Sequence, residues 1–151
     1  MIKGRKVGMP YQFLEDIATA DIAFEAWGNN LEKTFLAAAD ATMNVMIEEL
    51  DSIQPIETRK IRLENEALDM LLFDFLQELI YWKDSEKLML RIKEIGIREE
   101  NKHHFLEADA LGEKLDPERH HQRVDVKAVT LHRFRLEKTE EGWKASVILD
   151  I

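Results

Sequence analysis

Two aspartates stand where a charged side chain is costly. Asp21 interrupts the small and apolar run "IATADIAF", and Asp150 closes the alternating stretch "KASVILDI" just before Ile151. A carboxylate in partly apolar surroundings needs a cation, a hydrogen-bond donor or a helix N-terminus beside it. A strand held in a sheet up to Asp150 would fix both that side chain and the α-carboxylate of Ile151, and two anions so close need an offset. Hard divalent cations such as Mg²⁺ or Ca²⁺ are bound by oxygen clusters of this kind. A lysine would also serve, and Lys127, on the polar side of "VDVKAVTLHRFRLE", is a candidate. Each residue also has an ordinary reading: Asp21 as an N-cap or turn aspartate, Lys127 as an exposed strand lysine.

Other chemistries find little support. The 151 residues include no cysteine, which excludes disulfides, thiolate zinc sites and thiol nucleophiles and fits a reducing compartment. There is no G-x-S-x-G elbow, Walker lysine loop, H-E-x-x-H or EF-hand loop. His103-His104 and His120-His121 suggest a metal, but adjacent strand residues point to opposite faces, so neither pair chelates as a unit. The net charge of −9 argues against broad binding of a phosphate backbone. Between Arg119 and Lys138, however, six basic residues face two acidic ones, so two differently charged surfaces are expected; apart from Phe134 no aromatics are interleaved to make the basic one a nucleic-acid patch. No apolar run approaches the roughly 20 residues of a membrane-crossing helix, and a soluble, cytoplasmic protein is expected.

The elements that must position these residues are written in the periodicity. "NNLEKTFLAAADATMNVMIEEL" places Leu31, Phe35, Ala38, Thr42, Val45 and Met46 on one helical face, with Asn29 or Asn30 as N-cap. "NEALDMLLFDFLQELIYWKD" gathers Leu68, Leu71, Leu72, Phe75, Leu76, Leu79 and Tyr81 or Trp82, a face broad enough to predict a central helix. The other segments alternate as strands. "YQFLEDIATADIAFEAWG" holds two around a polar bend, and "IETRKIRLE" alternates weakly. "LMLRIKEIGIRE" changes face before Ile95, as an inserted bulge residue would make it do. "HHFLEADALGE" is expected to run into a turn at Gly112. In "VDVKAVTLHRFRLE" one face carries Val124, Val126, Ala128, Thr130, His132, Phe134 and Leu136, and a last strand follows a turn at Gly142. The order predicts a single α+β domain over residues 11–151, a mainly antiparallel sheet or sandwich with two principal helices, behind a disordered leader over residues 1–10.

The stretches "TADIAFEAWG", "GEKLD" followed by His120, "VKAVT" followed by His132, and "ILDI" resemble the archease family in content and order. The likeness spans about Tyr11 to Ile151. It implies a non-enzymatic accessory protein of the RtcB-type tRNA-splicing ligase, one that promotes nucleotide attachment to the ligase and sustains multiple turnover. By the same likeness Asp21, Asp150 and the terminal carboxylate of Ile151 match the family's divalent-cation site, and Lys127 matches its functional lysine. A chaperone-like partnership with a tRNA methyltransferase or another RNA-processing enzyme is the alternative it implies, with direct RNA contact weak or absent. A stand-alone metal-dependent hydrolase is a third reading. The sequence departs from the family where a histidine usually precedes "TAD": Ala18 stands there, leaving that role absent or taken up by another residue such as His132.

Overall fold

A computed structural model describes residues 10–14 and 20–151. The expectations for the leader and for Ala18 therefore fall on positions outside the described residues, except at Pro10, whose carbonyl accepts the Trp27 N–H at 2.7 Å. The chain forms β1 (Tyr11–Leu14), β2 (Asp21–Gly28), α1 (Leu31–Met46), a short 3₁₀ turn at Leu50–Ser52, β3 (Glu57–Asn65), α2 (Leu68–Glu86), β4 (Leu88–Glu100), β5 (His103–Lys114), β6 (Ala128–Thr139) and β7 (Gly142–Asp150). One antiparallel sheet has the order β1-β2-β7-β6 and the other β3-β5-β4. The α+β reading with two principal helices and antiparallel sheets holds.

Both helices pack on both sheets, which makes one core of them. Phe35 of α1 meets Phe75 of α2 with ring centroids 5.9 Å apart, and Phe24 of β2, Leu71, Leu72, Leu76 and Leu88 are fully buried with them. Asn30 is the cap of α1, its side chain accepting the Lys33 N–H at 2.8 Å. The broad face of α2 is buried through Leu79 and Ile80; Tyr81 is exposed, whereas Trp82 is half-buried beneath Arg59. In β4 the register against β5 shifts between Ile92 and Glu94, the inserted residue that the sequence called for.

Two expectations are corrected. Gly112 lies inside β5, paired with Glu57 and Leu90, and the reversal between β4 and β5 is made by Asn101 and Lys102 at φ 53° and 65°. Gly112 is glycine because a Cβ there would lie 1.8 Å from the Met89 carbonyl oxygen. The long stretch beginning at Val124 becomes strand only at Ala128. Before that it runs beside the end of α1, with Arg123 N–H donating to Met46 at 2.8 Å. Farther on, residues 131–134 of β6 lie opposite the single residue Val147, since Thr130 pairs with Ile148 and Arg135 with Ser146. The alternation through His132 and Phe134 therefore does not correspond to one flat strand.

Backbone crowding at Gly112 yields a paired prediction. Gly112→Ala should cost on the order of 3 kcal/mol or prevent folding, because the obstructing atom is backbone and cannot move aside cheaply. Gly96→Ala, with nothing within 4 Å of the added methyl, should stay within about 0.5 kcal/mol of the parent. Urea unfolding midpoints compare them; equal losses would rule out the crowding explanation.

Candidate functional site

Strand β7 lies between β2 and β6, and this brings the residues singled out in the sequence to one corner of the first sheet. Asp21 and Asp150 are directly opposite in the β2–β7 ladder, and Ala128 is opposite Asp150 on the other side. The Asp150 carbonyl accepts the Lys127 N–H at 2.8 Å, and the Ile151 N–H donates to the Ala20 carbonyl at 3.0 Å. Hydrogen bonding thus continues one step past the last strand residue and holds Ile151 beside the residue preceding Asp21. The backbone of Lys127 is at this corner, with its side chain exposed.

Cross-strand partners have Cβ atoms about 5 Å apart, and like charges directly opposite are destabilising. Both aspartates are half-buried, and among the described residues neither carboxylate has a hydrogen-bond or ion-pair partner. Among the described residues no three His, Cys, Asp or Glu side chains gather to hold a metal, so this corner offers two side-chain carboxylates. The donor set is hard oxygen, and it fits a cation that completes its shell with further oxygen ligands such as water. His132 is exposed in the β6 bulge, beyond Thr130 along the strand.

Residues that the sequence reading did not single out hold Lys127 in place. Lys83 occupies the buried stripe of α2, one turn after Leu79, and is 9% exposed. Its ammonium donates to Asp125 Oδ1 and to the Val126 carbonyl, each at 2.8 Å, and it also pairs with Asp84. Burial pulls its pKa down, but the hydrogen bonds with Asp125 and Asp84 outweigh this and raise it. Six residues earlier on α2, Gln77 Oε1 accepts the Val129 N–H at 2.7 Å. Lys127 is therefore flanked by two anchors to α2 while its own N–H bonds to β7. A lysine where the apolar stripe calls for another leucine was the available signal.

The incoming segment has a second anchor in the "GEKLD" motif and His120. Glu113 is 5% exposed and its carboxylate accepts from Arg119, from Gln54 N–H at 2.7 Å and from His120 Nε2 at 3.0 Å. His120, 1% exposed, accepts the Asp116 N–H on Nδ1 at 2.8 Å, which leaves Nε2 to carry the proton it shares with Glu113. Burial alone would raise the Glu113 pKa; the bonds from Arg119, Gln54 and His120 overcome it and bring the carboxyl to about 2. His121, by contrast, is exposed; the two histidines sit in the bend that follows the turn at residues 117–119, not on the strand whose alternation the sequence reading assumed for them.

A carboxyl held below its ordinary 4.5 stabilises the fold wherever it is ionised, and that contribution fades as pH falls from about 4.5 toward 2. The lost stability should amount to roughly 3 kcal/mol in the parent protein. In Glu113→Gln it should already be missing at neutral pH, and this part of the acid slope should flatten. Urea titrations at a series of pH values measure both; an unchanged acid slope in the variant would contradict the assignment.

Comparison with known proteins places this architecture among relatives. The Archease protein family (MTH1598/TM1083) matches over residues 11–151. A protein named archease from Pyrococcus abyssi is 40% identical over 134 residues, covering 88% of this chain and 94% of its own. One of the same name from Methanosarcina acetivorans is 40% identical over 147 residues, covering 95% and 97%. Among solved structures, the solution structure of Methanobacterium thermoautotrophicum protein 1598 superposes with a TM-score of 0.82 at 33% identity, covering 95% of this chain and 99% of that one. A Thermotoga maritima crystal structure described as an archease and possible chaperone shares the fold, with a TM-score of 0.57 at 21% identity over 89% and 93%.

Proposed function

The chain belongs to the archease family, and we propose that it is a cytoplasmic, non-enzymatic activator of an RtcB-type tRNA-splicing ligase, promoting ligase guanylylation and multiple-turnover RNA joining. The observation that carries this reading is the direct opposition of Asp21 and Asp150 in one ladder, with the Lys127 N–H bonded to Asp150. Asp21, Asp150 and the Ile151 carboxylate would hold a divalent cation, Mg²⁺ or Ca²⁺, which when bound supplies positive charge and open coordination positions for phosphate oxygens. Lys127 projects a second positive charge from the same corner and is the residue for contact with the ligase or its nucleotide. Lys83 and Gln77 keep it there by fixing the backbone on both sides. The absence of recognisable nucleophile–base signatures in the sequence supports an accessory role over a hydrolytic one.

A second reading, a chaperone-like modulator of a tRNA methyltransferase or other RNA-processing enzyme, draws on the description of the Thermotoga maritima relative as a possible chaperone and on exposed apolar residues such as Leu131 and Ile56.

The test is a ligation time course with the cognate ligase and excess RNA. The parent protein should carry the reaction beyond one round, and Asp150→Ala or removal of Ile151 should reduce stimulation by about a hundredfold, the scale expected when a cation site is dismantled. Lys127→Ala should lose stimulation but keep divalent-cation affinity. If the parent gives no turnover beyond the first round, ligase activation is wrong. Stimulation that survives both changes at Asp150 and Ile151 would remove the cation from the account. Prevention of methyltransferase aggregation that is indifferent to Asp150 would favour the second reading.

A further inference from the structure

One stretch of the chain is exposed almost throughout and carries the opposite charge to the rest. Residues 121–135 hold Arg123, Lys127, Arg133 and Arg135 against the single acid Asp125, in a protein of net charge −9. Asp125 is already bound to Lys83. Among the described residues Lys127 and Arg133 have no ion-pair partner, so their charge is open to an incoming anion. Two apolar side chains stand among these cations: Val124 is 42% exposed and Leu131 61%.

The β6 bulge is what puts Leu131 there. Residues 131–134 lie opposite the single residue Val147, and Arg133 takes φ 53°, a left-handed conformation disfavoured for any residue with a Cβ. The other non-glycine residues with positive φ among those described, Lys87, Asn101 and Lys102, close a helix or a hairpin, whereas Arg133 stands within a strand. Protection of a sheet edge does not explain the distortion. Edge strands are bulged or charged to keep another chain from pairing with them, but the outer edge of β6 is already met by α2, where Gln77 accepts the Val129 N–H at 2.7 Å and Phe73 receives Phe134 at 5.6 Å. Protection would also call for a charge in place of Leu131. The other common use of a bulge is to re-aim side chains beside a functional site. Thr130 pairs with Ile148 two residues along from the Ala128–Asp150 pair, so Leu131 emerges roughly 10 Å along the strand from the acidic corner.

We infer that the β6 bulge and the basic stretch leading into it form a docking surface for an acidic protein face, with Leu131 entering an apolar socket and Lys127 and Arg133 meeting the carboxylates around it. The inference rests on the proposed function and assigns the surface by which the ligase is held beside the acidic corner. Protein interfaces set an apolar centre within a polar rim in which arginine is enriched, and complementary charge speeds the encounter. An RNA strand fits less well, because Phe134 is the one Phe, Tyr or Trp in the stretch and it is turned in against Phe73 instead of being offered to a base.

Binding of the cognate ligase to the full chain, followed by surface plasmon resonance at two ionic strengths beside the ligation time course, tests the surface. Leu131→Asp should weaken binding at least about tenfold and Leu131→Met should restore it, with unfolding midpoints unchanged because the side chain is exposed. Arg133→Gly should slow association and flatten its salt dependence while leaving the unfolding midpoint unchanged or higher, since glycine takes this backbone without strain. Full binding by Leu131→Asp beside a parent that binds would overturn the surface and leave the proposed function standing. Association of the parent that quickens as salt is added would overturn the acidic partner face. Binding lost in Leu131→Asp, with no stimulation of RNA joining by the parent, would uphold the surface and defeat the proposed function alone. A parent that does not bind the ligase defeats both. Tighter binding of a short oligoribonucleotide than of the ligase, lost in Arg133→Gly, would make this an RNA surface and overturn the assignment.

Discussion

A strand hydrogen-bonded along both edges has almost no freedom of register, because a slip of one residue would turn every side chain to the wrong face. In this protein β7 is that strand, and its setting between β2 and β6 determines where Asp150 stands. Ala145, Val147 and Leu149 are buried on its inner side, so Ser146, Ile148 and Asp150 take the other. Asp21 then has its position by pairing, and Lys127 by the bond from its N–H to Asp150. The proximity of the acidic pair and the lysine follows from sheet packing and needs no dedicated loop.

Helix α2 adds the second constraint. Its apolar stripe is buried under both sheets, and where the stripe would continue it presents an ammonium instead of a methyl group. Lys83 can remain charged there because three oxygens surround it, and those oxygens belong to Asp84 and to the segment just before Lys127. A buried cation with fixed acceptors specifies geometry more narrowly than an aliphatic contact of the same area, which tolerates sliding. The Glu113–His120–Arg119 cluster does the same for the start of that segment.

The period of each helix, the N-cap near Asn30, the extra residue in β4 and the alternation of β7 were all legible, because they depend on neighbours within a few positions. The discord of Asp21 within "IATADIAF" was legible for the same reason. Its pairing with Asp150 was not: the two are far apart along the chain, and periodicity does not say which strands meet. Family resemblance, rather than pattern, brought them together on paper. The β6 bulge escaped because residues 124–136 alternate as though straight, while the backbone follows α1 at first and later bows outward at Arg133. Gly112 misled in the opposite direction, since a glycine required by close backbone approach looks the same in sequence as one required by a turn.

The strand order also governs when the corner can exist. Its two halves, β2 and β7, are joined in space but separated by both helices and four other strands. Contacts between distant segments form late, after the intervening chain has paid its ordering entropy. A nascent chain that has emerged only through β5 can assemble the second sheet against the helices, yet it leaves β2 with an open edge and Asp21 without its counterpart. The acidic corner therefore comes into being only when the last strand pairs, so its geometry exists in the closed fold and not in a partly assembled chain.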